Sequence, residues 1–164
     1  MAILEILKFP HKALLTECKP VTIFDDHLRT LLDDMWETMK AAGGVGLAAN
    51  QVGLPHRMFV MEDAYGDKLN IVNPNVERVS TFPANVKEGC LSAPDESLVL
   101  RERTDWVILT YKDESGEPRR VLLKDLQSVI ALHELDHING VSFLQYDSIP
   151  RAKRKALAKK WRLP

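Results

Sequence analysis

At 164 residues, with 45% hydrophobic and 27% charged side chains, the chain has the size and composition of one ordinary globular domain, able to bury roughly two-thirds of its unfolded surface. A net charge of -1 argues against a general polyanion binder, so no DNA partner is expected, and no apolar run approaches the ~18 residues that a membrane span needs. The first residues, MAILEILKFP, lack the basic-then-apolar pattern of an export signal, and Cys18 and Cys90 are the only cysteines. A cytoplasmic protein without a disulfide framework is expected, in which a functional thiol is worth considering.

In chain order, the first element is a helix over residues 25–42, where Leu28, Leu31, Leu32, Met35, Trp36 and Met39 recur at helical spacing, with Asp25 or Asp26 as N-cap and Gly43 as stop. This stripe reads as core. The stretch AAGGVGLAANQ (41–51) follows. It lacks the spacing and the preceding strand of a nucleotide loop. It reads either as an ordinary helix-to-strand turn or as backbone stripped of side chains so that a substrate can lie against it, with the Gln51 amide as donor. Short β-like runs then occupy 57–62, 68–72, 75–80 and 97–102, while 106–111 and 118–123 flank DESGE as a hairpin. Residues 124–139 form a helix that Gly140 ends, and Pro150 opens a last one, RAKRKALAKKW. The order predicts an α+β fold, mainly antiparallel strands around a central HExxH helix, with N-terminal helices and a C-terminal basic helix.

The penultimate helix carries HELDH. His133 and His137 stand four apart, so they share one face and can grip one cation, while Glu134 lies about 100° round, where a general base takes a proton from metal-bound water. The flanks Val129, Ile130, Leu132 and Leu135 make the helix a buried one, in which unpaired histidines would be costly. A hydrolytic metal usually has three protein ligands. Beyond residue 137 there is no histidine and no acid except Asp147, so the third ligand lies upstream. His11, His27 and His56 are available but sit in polar surroundings. Cys90, in VKEGCLSAP beside Gly89, is the better candidate, whereas Cys18 reads as a buried structural thiol. Two imidazoles, a thiolate and an open position suggest zinc.

Three segments in order, GVGLAANQ, EGCLS and HELDH, resemble the signature motifs of the peptide deformylases, and ILKFPHKALL and HINGVSFLQYDSI extend the resemblance over nearly the whole chain. It implies a single catalytic domain, 1–164, that hydrolyses the N-formyl group from formylmethionine of nascent polypeptides and releases formate. It assigns Cys90, His133 and His137 to the metal, Glu134 to general acid–base work, and Gln51 with the Leu91 backbone N–H to the oxyanion hole. Gly44, Val45 and Gly46 would pair with an extended substrate, beside Gly89, and Val45, Val86, Glu88, Leu126, Val129 and Ile130 would wall the methionine pocket. The implied metal is Fe2+ in the cell, with Zn2+ or Ni2+ as substitutes. Two positions depart from the family's pattern: Leu132 replaces a frequent glutamine, and Ser97 stands where many members have arginine. Arg101 or Arg103 would pair with Glu88. The tail Arg151–Arg162 holds seven basic residues and no acid, so that charge segregation together with the resemblance implies ribosome docking.

Overall fold

A computed structural model describes residues 2–164. Helix α1 (Asp26–Ala41) starts where Asp25 accepts a 2.9 Å hydrogen bond from the Leu28 N–H, and it carries Asp26 in its first turn and Lys40 in its last, matching the helix dipole. Seven strands follow: β1 (Gly46–Ala48), β2 (Met58–Glu62), β3 (Lys68–Val79), β4 (Lys87–Cys90), β5 (Ala93–Val99), β6 (Trp106–Lys112) and β7 (Pro118–Lys124). Helices α2 (Leu126–Ile138) and α3 (Arg151–Lys160) complete the chain. Strands β1-β2-β3-β6-β7 form one sheet in that order and β4-β5 a separate hairpin, every pair antiparallel. The fold is α+β, with three α-helices and antiparallel sheets.

The β1–β3 end of the sheet is covered on both faces, which explains why its strands hide their period. Along β2, Phe59 and Met61 join Ile130, Ala131, Leu135 and Ile138 of α2, while Met58 and Val60 join Leu28, Leu32, Met35 and Met39 of α1. All four β2 residues are fully buried, so the segment reads as a continuous apolar run. A third cluster packs Leu98 and Leu100 with Phe143, Leu144, Ile149 and Leu157, seating α3 near the hairpin.

The structure departs from the sequence reading at several places. The runs 68–72 and 75–80 are one strand, β3, with a register shift between Val72 and Asn75. Asn73 there adopts φ 50°, and its side chain both accepts from the Val21 N–H and donates to the Val21 carbonyl, each at 2.8 Å. A bulge with that support admits Pro74 inside a strand. The run 97–102 is displaced: β5 ends at Val99, and a turn closed by the Arg103 N–H on the Leu100 carbonyl (3.2 Å) follows. The expected N-terminal helices reduce to α1 and a single 3-10 turn, Lys12–Leu15.

Gly140 ends α2 at φ +72°, and a Cβ there would lie 2.9 Å from the Thr16 carbonyl carbon and 3.0 Å from the Glu17 nitrogen. Gly66 has a similar φ of +81° with nothing within 4 Å. Gly66→Ala should cost about 1–2 kcal/mol from backbone conformation alone. Gly140→Ala should cost clearly more, because its obstacle is backbone. Calorimetry of the two variants checks this, each kcal/mol appearing as a fall of roughly 2–4 °C in Tm.

Candidate active site

Helix α2 lies against β1 and β2 with almost no polar face, and its buried set includes His133, Glu134 and His137. Cys90 ends β4 in a tight connection to β5, where it pairs with Ala93. The Cys90 Sγ and His133 and His137 Nε2 atoms converge: Sγ stands 3.2 Å from His137 Nε2, which stands 3.2 Å from His133 Nε2, and all three lie within 4.8 Å of one another. His133 Nδ1 sits 2.8 Å from Glu88 Oε1, a carboxylate that accepts the Nδ1–H and leaves the Nε2 lone pair for a metal. Two ring nitrogens and a thiol sulfur facing one point form a donor set that fits a divalent ion of the zinc or iron kind. Among the described residues this is the one such His/Cys/Asp/Glu group. The upstream histidines stand apart: His11 caps the 3-10 turn through Nδ1, His27 is exposed and His56 half-buried.

Glu88 is held from below. Arg103, only 2% exposed, contacts both of its oxygens (Nε at 2.9 and 3.1 Å, Nη2 at 2.9 Å) and reaches Asp136 of α2 through Nη1 at 2.6 Å. Tyr146 donates its hydroxyl to the same Asp136 oxygen at 2.6 Å, and its ring lies under the guanidinium at 5.2 Å. Burial raises the Glu88 carboxyl, but hydrogen bonds from His133 and Arg103 outweigh it and hold Glu88 below the usual carboxylate range. Glu134 has no such partner. Burial pushes its carboxyl up to about 7, against the opposing charges of His133 and Arg103. Burial likewise pushes the Cys18 thiol up to about 11, which suits an inert core residue.

The ligand cluster opens on a cleft of about 410 Å³ lined by Gly44, Val45, Gly46, Gln51, Glu88, Gly89, Cys90, Leu91, Leu126, Val129, Ile130, His133 and Glu134. Of the residues expected here, His137 lies behind the cleft wall in the ligand cluster. Val86 precedes β4, half-buried, and is not among the lining residues; β4 presents Lys87, Glu88 and Gly89 to the cleft. Glu88 lines the cleft, yet its carboxylate faces Arg103 and His133. The pairing left open between Arg101 and Arg103 belongs to Arg103; Arg101 is exposed, within the turn after β5. Lys87, Pro94, Asp95 and Glu96 also line the cleft without having been singled out in the sequence. Ser92 was missed as well, although it lies inside the EGCLS segment: its hydroxyl meets Gln51 Nε2 at 3.0 Å.

A nitrogen–sulfur metal set beside a buried carboxylate, at the mouth of a cleft running along a free strand edge, defines a metallohydrolase. The model of one family, polypeptide deformylase, matches residues 3–155. A peptide deformylase of Phenylobacterium zucineum is 43% identical, covering 98% of this chain and 95% of the relative, and a peptide deformylase-like protein of Agrobacterium fabrum is 37% identical over 98% and 96%. The crystal structure of a Synechococcus elongatus peptide deformylase in complex with actinonin superposes with a TM-score of 0.89 at 32% identity, covering 100% of this chain and 88% of that one. The chain belongs to the polypeptide deformylase family and is a metal-dependent hydrolase that removes the N-formyl group from N-formylmethionyl polypeptides. No helix among the described residues is long and apolar enough to cross a membrane.

Arg103→Met should strand two carboxylates, Glu88 and Asp136, in a buried site. Breaking a buried ion pair in this way costs roughly 3–5 kcal/mol. Urea unfolding of metal-free protein should show that loss, whereas Arg101→Met should stay within about 0.5 kcal/mol of the parent, as exposed sites do.

Proposed function

We propose that residues 1–164 act as one catalytic domain in which Cys90, His133 and His137 hold the metal, Fe2+ in the cell and replaceable by Zn2+ or Ni2+. The convergence of the three ligand atoms within 4.8 Å, with Glu134 buried beside them on the same cleft, is the observation that carries this reading. When bound, the metal supplies Lewis acidity that acidifies a water and polarises the formyl oxygen.

The chain's own groups do the rest. Glu134 takes the proton of the attacking water as oxygen bonds to the formyl carbon. Gln51 Nε2 and the Leu91 backbone N–H face the charge that gathers on the formyl oxygen. Glu134 then gives the proton to the departing amine as the C–N bond breaks, leaving formate and a free methionine N-terminus. A carboxyl pushed up towards neutrality suits both halves of that cycle. Gly44, Val45 and Gly46 offer the open edge of the five-stranded sheet, where an extended peptide adds as a further strand. Val45, Leu126, Val129 and Ile130 give the methionine side chain apolar walls. Ser97 stands where many members of the family have arginine, so no substrate contact is assigned to that position.

This assignment puts the enzyme in the cytoplasm, acting on nascent formylmethionyl chains. Helix α3 supports a ribosome contact. Arg154 pairs with Asp147 and Lys160 with Glu96, but among the described residues Arg151, Lys153, Lys155, Lys159 and Arg162 have no acidic partner and are exposed, while Leu157 pins the helix down.

The reading is tested by formate release from formyl-Met-Ala-Ser with metal analysis of the same sample. Glu134→Gln should lower kcat by roughly 10²–10⁴-fold with metal content unchanged. Loss of the metal would recast Glu134 as a ligand. Chain ending at Ser148 should keep its activity on the tripeptide while co-sedimenting less with ribosomes at low salt. Equal co-sedimentation of the two lengths removes α3 from the interface.

A further inference from the structure

A buried glutamine amide has two ends of similar shape, and its neighbours alone decide which end faces a substrate. Gln51 is 1% exposed. Its Oε1 accepts the Ala48 N–H at 2.9 Å, which fixes the oxygen on the strand side. Its Nε2 lies 3.0 Å from the Ser92 hydroxyl and 3.7 Å from Cys90 Sγ. An amide nitrogen carries two N–H groups. The Ser92 oxygen engages one of them, and the other lies on the Cys90 side of the cleft, with only the long contact to Sγ. Ser92 is itself wholly buried.

The backbones of both residues are tied down by one segment. The Leu7 N–H donates to the Gln51 carbonyl at 2.7 Å, and the Phe9 N–H donates to the Ser92 carbonyl at 3.0 Å. The distance between the Gln51 and Ser92 main chains is therefore set by two residues of a strap that crosses both, and the side-chain contact completes a closed frame. Removing the serine oxygen leaves the glutamine nitrogen with a buried N–H and no acceptor, so the amide is free to swing towards the sulfur or to reverse.

We propose that Ser92 is a positioning residue for the reaction, orienting the Gln51 amide so that its second N–H stays aimed at the formyl oxygen. The proposal rests on the assignment of Gln51 to the oxyanion. It makes Ser92 act through Gln51 alone, without touching substrate or metal.

The test is a double-mutant cycle on the metal-loaded enzyme with formyl-Met-Ala-Ser, comparing the parent, Ser92→Ala, Gln51→Leu and the pair at matched metal content. Ser92→Ala should lower kcat by roughly 10- to 100-fold, short of the loss from deleting an oxyanion donor outright, with KM changed less than about twofold. Added to Gln51→Leu, it should cost less than about twofold further. A readout independent of turnover is the Gln51 side-chain amide proton pair by NMR, expected to be resolved and slowly exchanging in the parent and to lose that protection in Ser92→Ala. Equal losses in both backgrounds, an effect confined to KM, or parental kcat and unaltered amide protons in Ser92→Ala each overturn the proposal. If Gln51→Leu itself leaves kcat intact, the oxyanion assignment has failed instead, and the NMR comparison still decides whether Ser92 orients the amide. Should Ser92→Ala not fold, Ser92→Cys, with a sulfur that is a poorer acceptor, takes its place under the same criteria.

Discussion

Ionisable groups cannot sit in a protein interior without partners, and much of this structure follows from meeting that requirement around α2. Sunk into the core, the helix carries two histidines and a glutamate, 2–5% exposed. Arg103 is the cation that compensates the carboxylates packed around this helix. It lies beneath Glu88 and Asp136, so that one cation satisfies two carboxylates, and one of those carboxylates fixes the ring of His133. The ion pair therefore joins β4, the turn after β5 and α2 in one charge-compensated unit. Tyr146 ties the segment leading to α3 into the same unit. The position of the His133 ring thus depends on the turn after β5, well upstream of α2, and on a loop after it.

The N-terminal residues solve a different problem. The three motif segments belong to elements that do not share one sheet: β1 opens the five-stranded sheet, β4 belongs to the hairpin, and α2 lies across the former. Backbone bonds from a single stretch stitch them together. Leu7 reaches the carbonyl of Gln51, Phe9 that of Ser92, and Cys18 that of Ile138 at the end of α2, while the Asn50 amide holds the His137 carbonyl. The bonds from Leu7, Phe9 and Cys18 draw only on backbone donors, so they constrain the site without constraining side chains.

That division explains what could and could not be read from the sequence. The ligand trio was legible because spacing on one helix, plus the shortage of donors downstream of His137, leaves few alternatives. The apolar stripe of α1 was legible because it is amphipathic. Arg103 over Arg101 was not, since alternation along 97–102 predicts a strand, and only the turn at Leu100 sends residue 103 inward. Strand β1, three residues long and beginning with glycine, carries no β signal of its own; pairing with β2 creates it. The joining of 68–72 and 75–80 was hidden by Asn73-Pro74, a turn dipeptide that becomes a bulge through bonds to Val21, residues away in sequence. Ser92 was invisible because a serine among small residues acquires meaning only when its partner is known.

The glycine-rich stretch also resolves into a physical requirement. Gly46 opens the edge strand β1, and Gly44 stands two residues before it. A Cβ on Gly44 would stand 2.8 Å from Leu91 Cδ1, and one on Gly46 would stand 2.7 Å from Glu134 Oε1 and 2.8 Å from Ile130 Cγ2. Neither position needs glycine for its φ. Both need it for distance. A side chain at 46 would have to displace the carboxylate, and a carboxylate moved even an ångström is misplaced for proton transfer. The segment proposed to offer its backbone to a peptide is therefore also the wall against which the proposed general base rests. The absent methyl at Gly46 lets this strand edge and the Glu134 carboxylate approach each other, the one at Gly44 lets the chain close on Leu91, and Val45 between them lines the cleft.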